Sequence, residues 1–359
     1  MKPSTHPFVR IPAPGATEAR LPFQRGFSLV ELMISITIGL LILVALSSLF
    51  VNQSKSRVEL DKSNRMIDNG RYALEVLTDS LNQAGYYGEF VPTATVPAIP
   101  ATLPDPCSTV AANISAALQL AIQGYEAAGP TSQITSPPCG FTYTAGNNLT
   151  LKPGSDILVI RRVSTGTAIV PGVALAGVNY LQASVCQYDA VPYKVDTVPA
   201  NFTLRGLTCT PTSTTPYAVL RTVVVQVYFV SANNKVTSGV GDGIPTLKRL
   251  ELDPATNTFV TTPLVEGIEY MQLEYGLDAN NDGVADSYIT APVATDWPNV
   301  VAVKMRLLAR NTEATRNYTD TKTYSLGLAG SVTPNDIYKR HAYTQYIRLN
   351  NTAGRREVQ

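Results

Sequence analysis

The sequence predicts an α+β protein in which one long N-terminal helix packs on an antiparallel β-sheet head. Three observations predict it. No proline interrupts residues 27–87, apolar residues recur at helical spacing through the second half of that stretch, and strand-length apolar runs follow from about residue 156 onward. A helix with one apolar stripe and a sheet with one apolar face each need a partner, and packing one on the other satisfies both.

Composition narrows the function classes. The 359 residues are 45% hydrophobic and 15% charged, which is enough apolar material for a sizeable core. Lys and Arg number 28 against 27 Asp and Glu, with no block of like charge, so nothing suggests a nucleic-acid partner. His6 and His341 are the two histidines, which excludes a site built on several imidazoles. No GxSxG elbow accompanies His341, so a hydrolase reading has no nucleophile.

Residues 1–26 hold Lys2, Arg10, Arg20 and Arg25 against the single Glu18, with several prolines and no apolar run able to fold. That is the profile of a leader peptide. Residues 27–51 are almost wholly apolar, roughly 25 residues or about 37 Å as a helix, enough to cross a bilayer. Glu31 interrupts them. A carboxylate there costs several kcal/mol unless it lies near the interface or finds a positive partner. A discarded secretory signal would end in a small-residue cleavage motif, whereas this stretch runs on as helix.

Residues 52–88 read as the amphipathic half of the same helix. Leu60, Ile67, Leu74 and Leu81 recur at sevenths with Met66, Ala73 and Leu77 beside them, while Asp61, Lys62, Arg65, Asp68, Arg71, Glu75 and Asp79 fill much of the rest. Gly85 and Gly88 offer a stop. The whole reads as one helix of roughly 58 residues, about 90 Å long.

Residues 89–359 form the expected head. The stretch 89–138, rich in Pro, Ala and Thr, reads as an irregular connection with one helical candidate at 108–125. Strands are expected at 156–163, 217–230, 247–252, 270–275, 300–310 and 343–349. The continuous apolar run at 223–230 predicts a strand buried on both faces. Cys107, Cys139, Cys186 and Cys209 contain no CxxC pair. An even count in an exported head reads as two disulfides, and the sequence-neighbour pairing is one of three connectivities.

The run Arg25-Gly26-Phe27-Ser28-Leu29-Val30-Glu31-Leu32 resembles the signal of type IV prepilins and type II secretion pseudopilins. The resemblance implies that a membrane aspartyl peptidase cleaves between Gly26 and Phe27 and methylates the new Phe27 amine. Glu31, then fifth in the mature chain, could pair with that amine within or between packed helices, removing its burial cost. Within 264–311, the segments Glu266-Gly267-Ile268-Glu269-Tyr270 and Trp297-Pro298-Asn299-Val300 are similar to the PilW family of large minor pilins.

That resemblance implies a pilin-like fold and a non-catalytic minor pilin that takes part in pilus assembly or priming, at the filament tip. Its implied partners are the prepilin peptidase and methylase, other minor and major pilins, the inner-membrane assembly machinery and a tip adhesin. Its implied location is the inner membrane, single-pass with a periplasmic head, and then the pilus fibre. The alternatives are a pseudopilin of a type II secretion system and a membrane-anchored periplasmic binding protein or enzyme.

One constellation in the head carries chemistry of its own. Asp278, Asn280, Asp282, Val284 and Asp286 stand in a DxNxDGxxD loop with Gly283 at the turn. Oxygen donors at positions one, three, five and nine, with the Val284 carbonyl at seven, follow the logic of EF-hand-type calcium loops. Ile289 stands where a closing glutamate would be, so the expected dissociation constant is on the order of 0.1 to 1 mM. The competing reading is an Asn/Asp/Gly turn between strands.

Overall fold

The computed structural model describes residues 26–357 apart from Ala94 and Ala145. The leader expected at 1–26 therefore lies, except for Gly26, outside the described residues. The chain divides into two units, Met1–Arg57 and Val58–Gln359. Helix α1, Leu29–Asn82, belongs to both.

Within the first unit α1 is almost wholly apolar from Leu32 to Val51 and is exposed among the described residues. Leu29, Ile36, Leu41 and Phe50 are each more than half exposed. The helix is long and apolar enough to cross a membrane, and none of that stretch is buried among the described residues. Its polar side chains are satisfied locally: the Ser35 hydroxyl donates to the Glu31 carbonyl at 2.7 Å and Thr37 to those of Met33 and Ile34.

Within the second unit α1 buries Met66, Gly70, Ala73, Leu77 and Leu81. That face is turned from the expected stripe: Leu60 is 63% exposed, and Ile67 and Leu74 are only partly buried. The reason is Gly70. It contributes no apolar side chain, so a count of apolar letters passes over it, yet its bare surface receives the Tyr343 ring.

Helix α2, Ala111–Ala116, precedes β1, Ile122–Tyr125. A larger sheet collects β1, β2 (Ile157–Val163), β5 (Leu220–Ser231), β3 (Tyr180–Ala183) and β4 (Tyr193–Asp196) in that order. Strand β8 (Thr246–Asp253) also joins β5 and carries β9 (Thr258–Glu266). Strands β6 (Val236–Thr237) and β7 (Val240–Gly241) form a short pair between β5 and β8. A second sheet has the order β11 (Ser287–Ile289), β10 (Ile268–Leu277), β12 (Val300–Arg310) and β15 (Arg340–Arg348). Strands β13 (Tyr324–Ser325) and β14 (Ser331–Val332) pair with each other, and α3, Asn350–Arg356, follows β15. Every strand-to-strand pairing is antiparallel.

The core follows from the pleat of β5. Tyr228 and Val230 enter a cluster with Ala73, Leu77 and Leu81 of α1, whereas Val227 and Phe229 enter a second cluster with Phe90, Leu151 and Val159. The continuous run is thus buried on both faces. The sheets are stitched where the Asp156 amide donates to the Met271 carbonyl at 2.9 Å and the Leu273 amide donates to the Asp156 carboxylate at 2.8 Å.

The helix expected at 108–125 is corrected to six residues of α2 followed by β1. Gln123 accepts from Arg161 at 2.6 Å and donates to the Pro104 carbonyl at 3.1 Å, and Gly124 lies against the Tyr275 hydroxyl. These contacts and pairing with β2 override local helix propensity. Strand β9 went unanticipated because Pro263 sits inside it, and an edge strand tolerates proline.

Candidate functional site

The N-terminal junction is built from little more than backbone. The Ser28 carbonyl accepts from the Leu32 amide at 3.0 Å, which starts α1 immediately after Phe27. Phe27 is 82% exposed, and Glu31 lies in the first helical turn, where a negative charge suits the helix dipole. A Cβ added to Gly26 meets no atom of the described residues within 4 Å.

Both disulfides are formed with the sequence-neighbour pairing, Cys107–Cys139 and Cys186–Cys209. The first closes over the core cluster that includes Phe141 and Leu151. The second closes a loop that contributes Phe202 to the small cluster of Val178, Tyr180, Phe202 and Leu220. Arg205 meets Asp189 within that loop at 2.6 Å.

The loop 278–286 joins β10 to β11 and satisfies its own polar groups. Asp278, 1% exposed, accepts from the Asn281 amide at 2.7 Å, the Gly283 amide at 3.0 Å and Arg356 Nε at 2.8 Å. Asp282 accepts from the Val284 amide at 2.8 Å and Asn280 from the Asp282 amide at 3.1 Å. Asp286 accepts from the Ala279 amide at 2.7 Å. Gly283 holds a φ of +77° and its bare face lies against the Ala353 carbonyl of α3, so a side chain there meets both backbone strain and a clash.

Among the described residues the carboxylates of Asp278, Asp282 and Asp286 do not converge within 4.8 Å of one another. The one such grouping is Asp105 with Cys107 and Cys139, whose sulfurs are taken up by a disulfide. The guanidinium of Arg356 fills the cationic place in the loop: it also donates to the Asp278 carbonyl, to Asn299 Oδ1 and to Asn281 Oδ1. Burial alone would raise the Asp278 carboxyl, but Arg356 and the two amides hold it below its ordinary value.

Sequence reasoning missed Arg356, and the basic pair Arg355-Arg356 after the last strand was its only signal. It also missed Arg340. That side chain is 1% exposed and bridges Glu269 at 2.5 Å, Asp320 at 3.3 Å and Asp336 at 2.6 Å, tying β10 and β15 to the segment between β12 and β15. Near the start of the second unit Glu59 takes Lys339 at 3.1 Å and Lys62 at 3.2 Å, and Lys339 first among them holds its carboxyl low.

Residues 22–47 match the prokaryotic N-terminal methylation motif, and residues 227–351 match the model of type IV pilus-assembly protein W, PilW. A PilW-like segment thus lies behind a segment that resembles a prepilin-type N-terminus. The PilW match takes in the second half of β5, all of the smaller sheet and the loop 278–286. The PilW match relates residues 227–351 to type IV pilus assembly, and the other relates the N-terminus to methylated prokaryotic proteins. No curated protein matches the chain. Among solved structures it is similar to a type IV-like pilin from Thermus thermophilus, at 15% identity and a TM-score of 0.26, covering 59% of this chain and 90% of that one.

Proposed function

We propose that the chain is a minor pilin that acts as a structural subunit in type IV pilus assembly and priming, without catalysis. The observation that carries this reading is α1. Its N-terminal half is apolar and exposed among the described residues, while its C-terminal half forms part of the core of the second unit. An apolar surface of that size needs a bilayer or other helices around it. Residues 27–51 hold the protein in the inner membrane with the head in the periplasm until it enters the fibre. The methylation motif supports cleavage between Gly26 and Phe27 and methylation of Phe27, and the charge of Glu31 suits pairing of that amine with Glu31 of a packed helix. The size of the head favours the filament tip, where it need not pack along the shaft; a tip adhesin and neighbouring minor pilins are its partners there.

Replacing residues 27–51 by a cleavable soluble signal tests the reading. A pilin then loses its role in piliation altogether, whereas a periplasmic enzyme or binding protein retains its function. Mass spectrometry of the membrane-extracted protein, expected to begin at methylated Phe27, checks the processing step independently.

Calcium binding by Asp278, Asn280, Asp282, the Val284 carbonyl and Asp286 is part of the same proposal. The donor set is hard oxygen and suits calcium. Its occupant has to displace Arg356 from Asp278 and draw the acids together.

A further inference from the structure

We propose that the open edge of β15 accepts an extended segment of another protein chain as an added strand, with basic side chains at the positions facing α1. The phase of the ladder defines that edge. Val301 accepts from the Leu349 amide at 2.8 Å and Lys339 from the Asn311 amide at 3.0 Å. With the register Ala302↔Arg348 through Arg310↔Arg340, the odd-numbered residues of β15 direct their backbone groups to β12. The N–H and C=O groups of Ala342, Thr344 and Tyr346 therefore point outward. All three residues are exposed, and these groups have no partner among the described residues.

Comparison with the other edges singles out β15. Strands β1 and β4 have four residues each and β11 has three. Strand β9 is long but carries Pro263 and faces a register shift at Leu247/Lys248. Short length, proline and bulges are the devices that blunt an edge against added strands. Strand β15 has nine residues, neither proline nor lysine, and an unbroken register. Its arginines are otherwise engaged, Arg340 by Glu269 and Asp336, and Arg348 by Glu357.

The flank of the edge states the chemistry of the occupant. Tyr343 reaches the Ile67 carbonyl of α1, and Gln345 lines a groove of about 380 Å³ with Arg71, Leu74, Glu75, Thr78 and Asp79. Glu75, Asp79 and, further along the helix, Asp68 are exposed and have no ion pair among the described residues, against the single cation Arg71. An added strand projects alternate side chains into that groove, where lysine or arginine finds acids and an aliphatic stem finds Leu74. Its other side chains lie beside Thr344 and Tyr346. This is strand addition, in which backbone bonds supply affinity and alternate side chains supply selectivity.

The test uses the full chain in detergent micelles and two labelled nonapeptides, one alternating valine with lysine and one alternating valine with glutamate. The basic peptide is expected to bind at least tenfold more tightly than the acidic one and to slow amide exchange at Ala342, Thr344 and Tyr346. Thr344→Pro deletes one outward N–H without touching the β12 ladder and is expected to weaken binding at least tenfold, while Thr344→Val binds as wild type. Failure of the basic peptide to bind, equal affinity for both peptides, or protection only elsewhere overturns the proposal. Protection of these amides without peptide, rising with protein concentration, assigns the edge to a second copy and overturns the basic partner.

Discussion

The Tyr343 ring lies against Gly70 of α1, and its hydroxyl donates to the Ile67 carbonyl at 3.1 Å. One aromatic residue of β15 thereby fixes the approach of the smaller sheet to the helix. Glycine inside a helix ordinarily costs about 0.5–1 kcal/mol relative to alanine. Here a Cβ overlaps the ring, so Gly70→Ala is expected to lose roughly 1–3 kcal/mol instead of gaining. Urea unfolding of both proteins measures the sign, and a gain contradicts the packing described. Tyr343→Ala should reverse the response to Gly70→Ala.

Arg356 neutralises a carboxylate that is almost entirely buried. Arg356→Gln is expected to cost about 2–4 kcal/mol, because it leaves Asp278 without its cation. The Asp278 carboxyl is held below its ordinary value near 3.8, so this stabilisation is complete above that pH and fades as pH falls through the lower folded value. The same variant separates the two readings of the loop. If calcium and Arg356 compete for Asp278, calorimetry should find calcium bound at least tenfold more tightly by Arg356→Gln than by wild type. Unchanged affinity, or no calcium heat in either protein, removes calcium from the proposal.

Glu126 and Asp156 lie close together where β1 and β2 meet β10, and burial pushes both carboxyls up, with Glu274 adding to the effect at Glu126. Glu126 reaches about 7 from an ordinary 4.5. A carboxyl with a raised folded value binds its proton more readily when folded, so its contribution favours folding below about 4.5 and is lost as pH rises to about 7. Glu126→Gln removes that dependence. Melting temperatures of the variant and wild type should converge near pH 4.5 and separate by several degrees at pH 8, with the variant higher. Parallel curves across this range contradict the assignment.

The Cys186–Cys209 bridge closes a separation of 23 residues, between which Phe202 and Leu204 are the buried hydrophobic side chains. So small a core leaves the loop dependent on the crosslink. Replacing both cysteines by alanine is expected to cost about 3 kcal/mol. Hydrogen exchange should show the loss concentrated in residues 178–220, with the α1 cluster protected as before. Uniform loosening of the head would show that the bridge acts on the whole core.

Much of this architecture was legible because periodicity survives in single residues. The six expected strands are present, and 300–310 coincides with β12. The turn glycines Gly85 and Gly88 hold φ values of +72° and +65° just past the end of α1. What was not legible depended on long-range contacts. Gly70 acquires its meaning from a tyrosine 273 positions away, and Gln123 becomes strand because Arg161 and β2 receive it. At the loop 278–286 the oxygen donors were visible in order, whereas the guanidinium facing Asp278 comes from α3. Sequence spacing shows which ligands a loop can offer and is silent about a distant side chain that takes them first.

Helix α3 closes the other end of the helix it touches. Asn351 donates to the Ala84 carbonyl at 3.0 Å and Arg355 to that of Gly85 at 3.1 Å, giving partners to acceptors just beyond the last turn of α1. These groups are separated by 267 and 270 positions along the chain. Pairings of such separation form late, because the intervening chain must be ordered before they are rewarded. During synthesis the residues of α1 therefore emerge long before the partners of these acceptors. For most of the time that the nascent chain is lengthening, the acceptors at residues 84 and 85 stay open to water or to chaperones, and their closure marks a head that has finished folding.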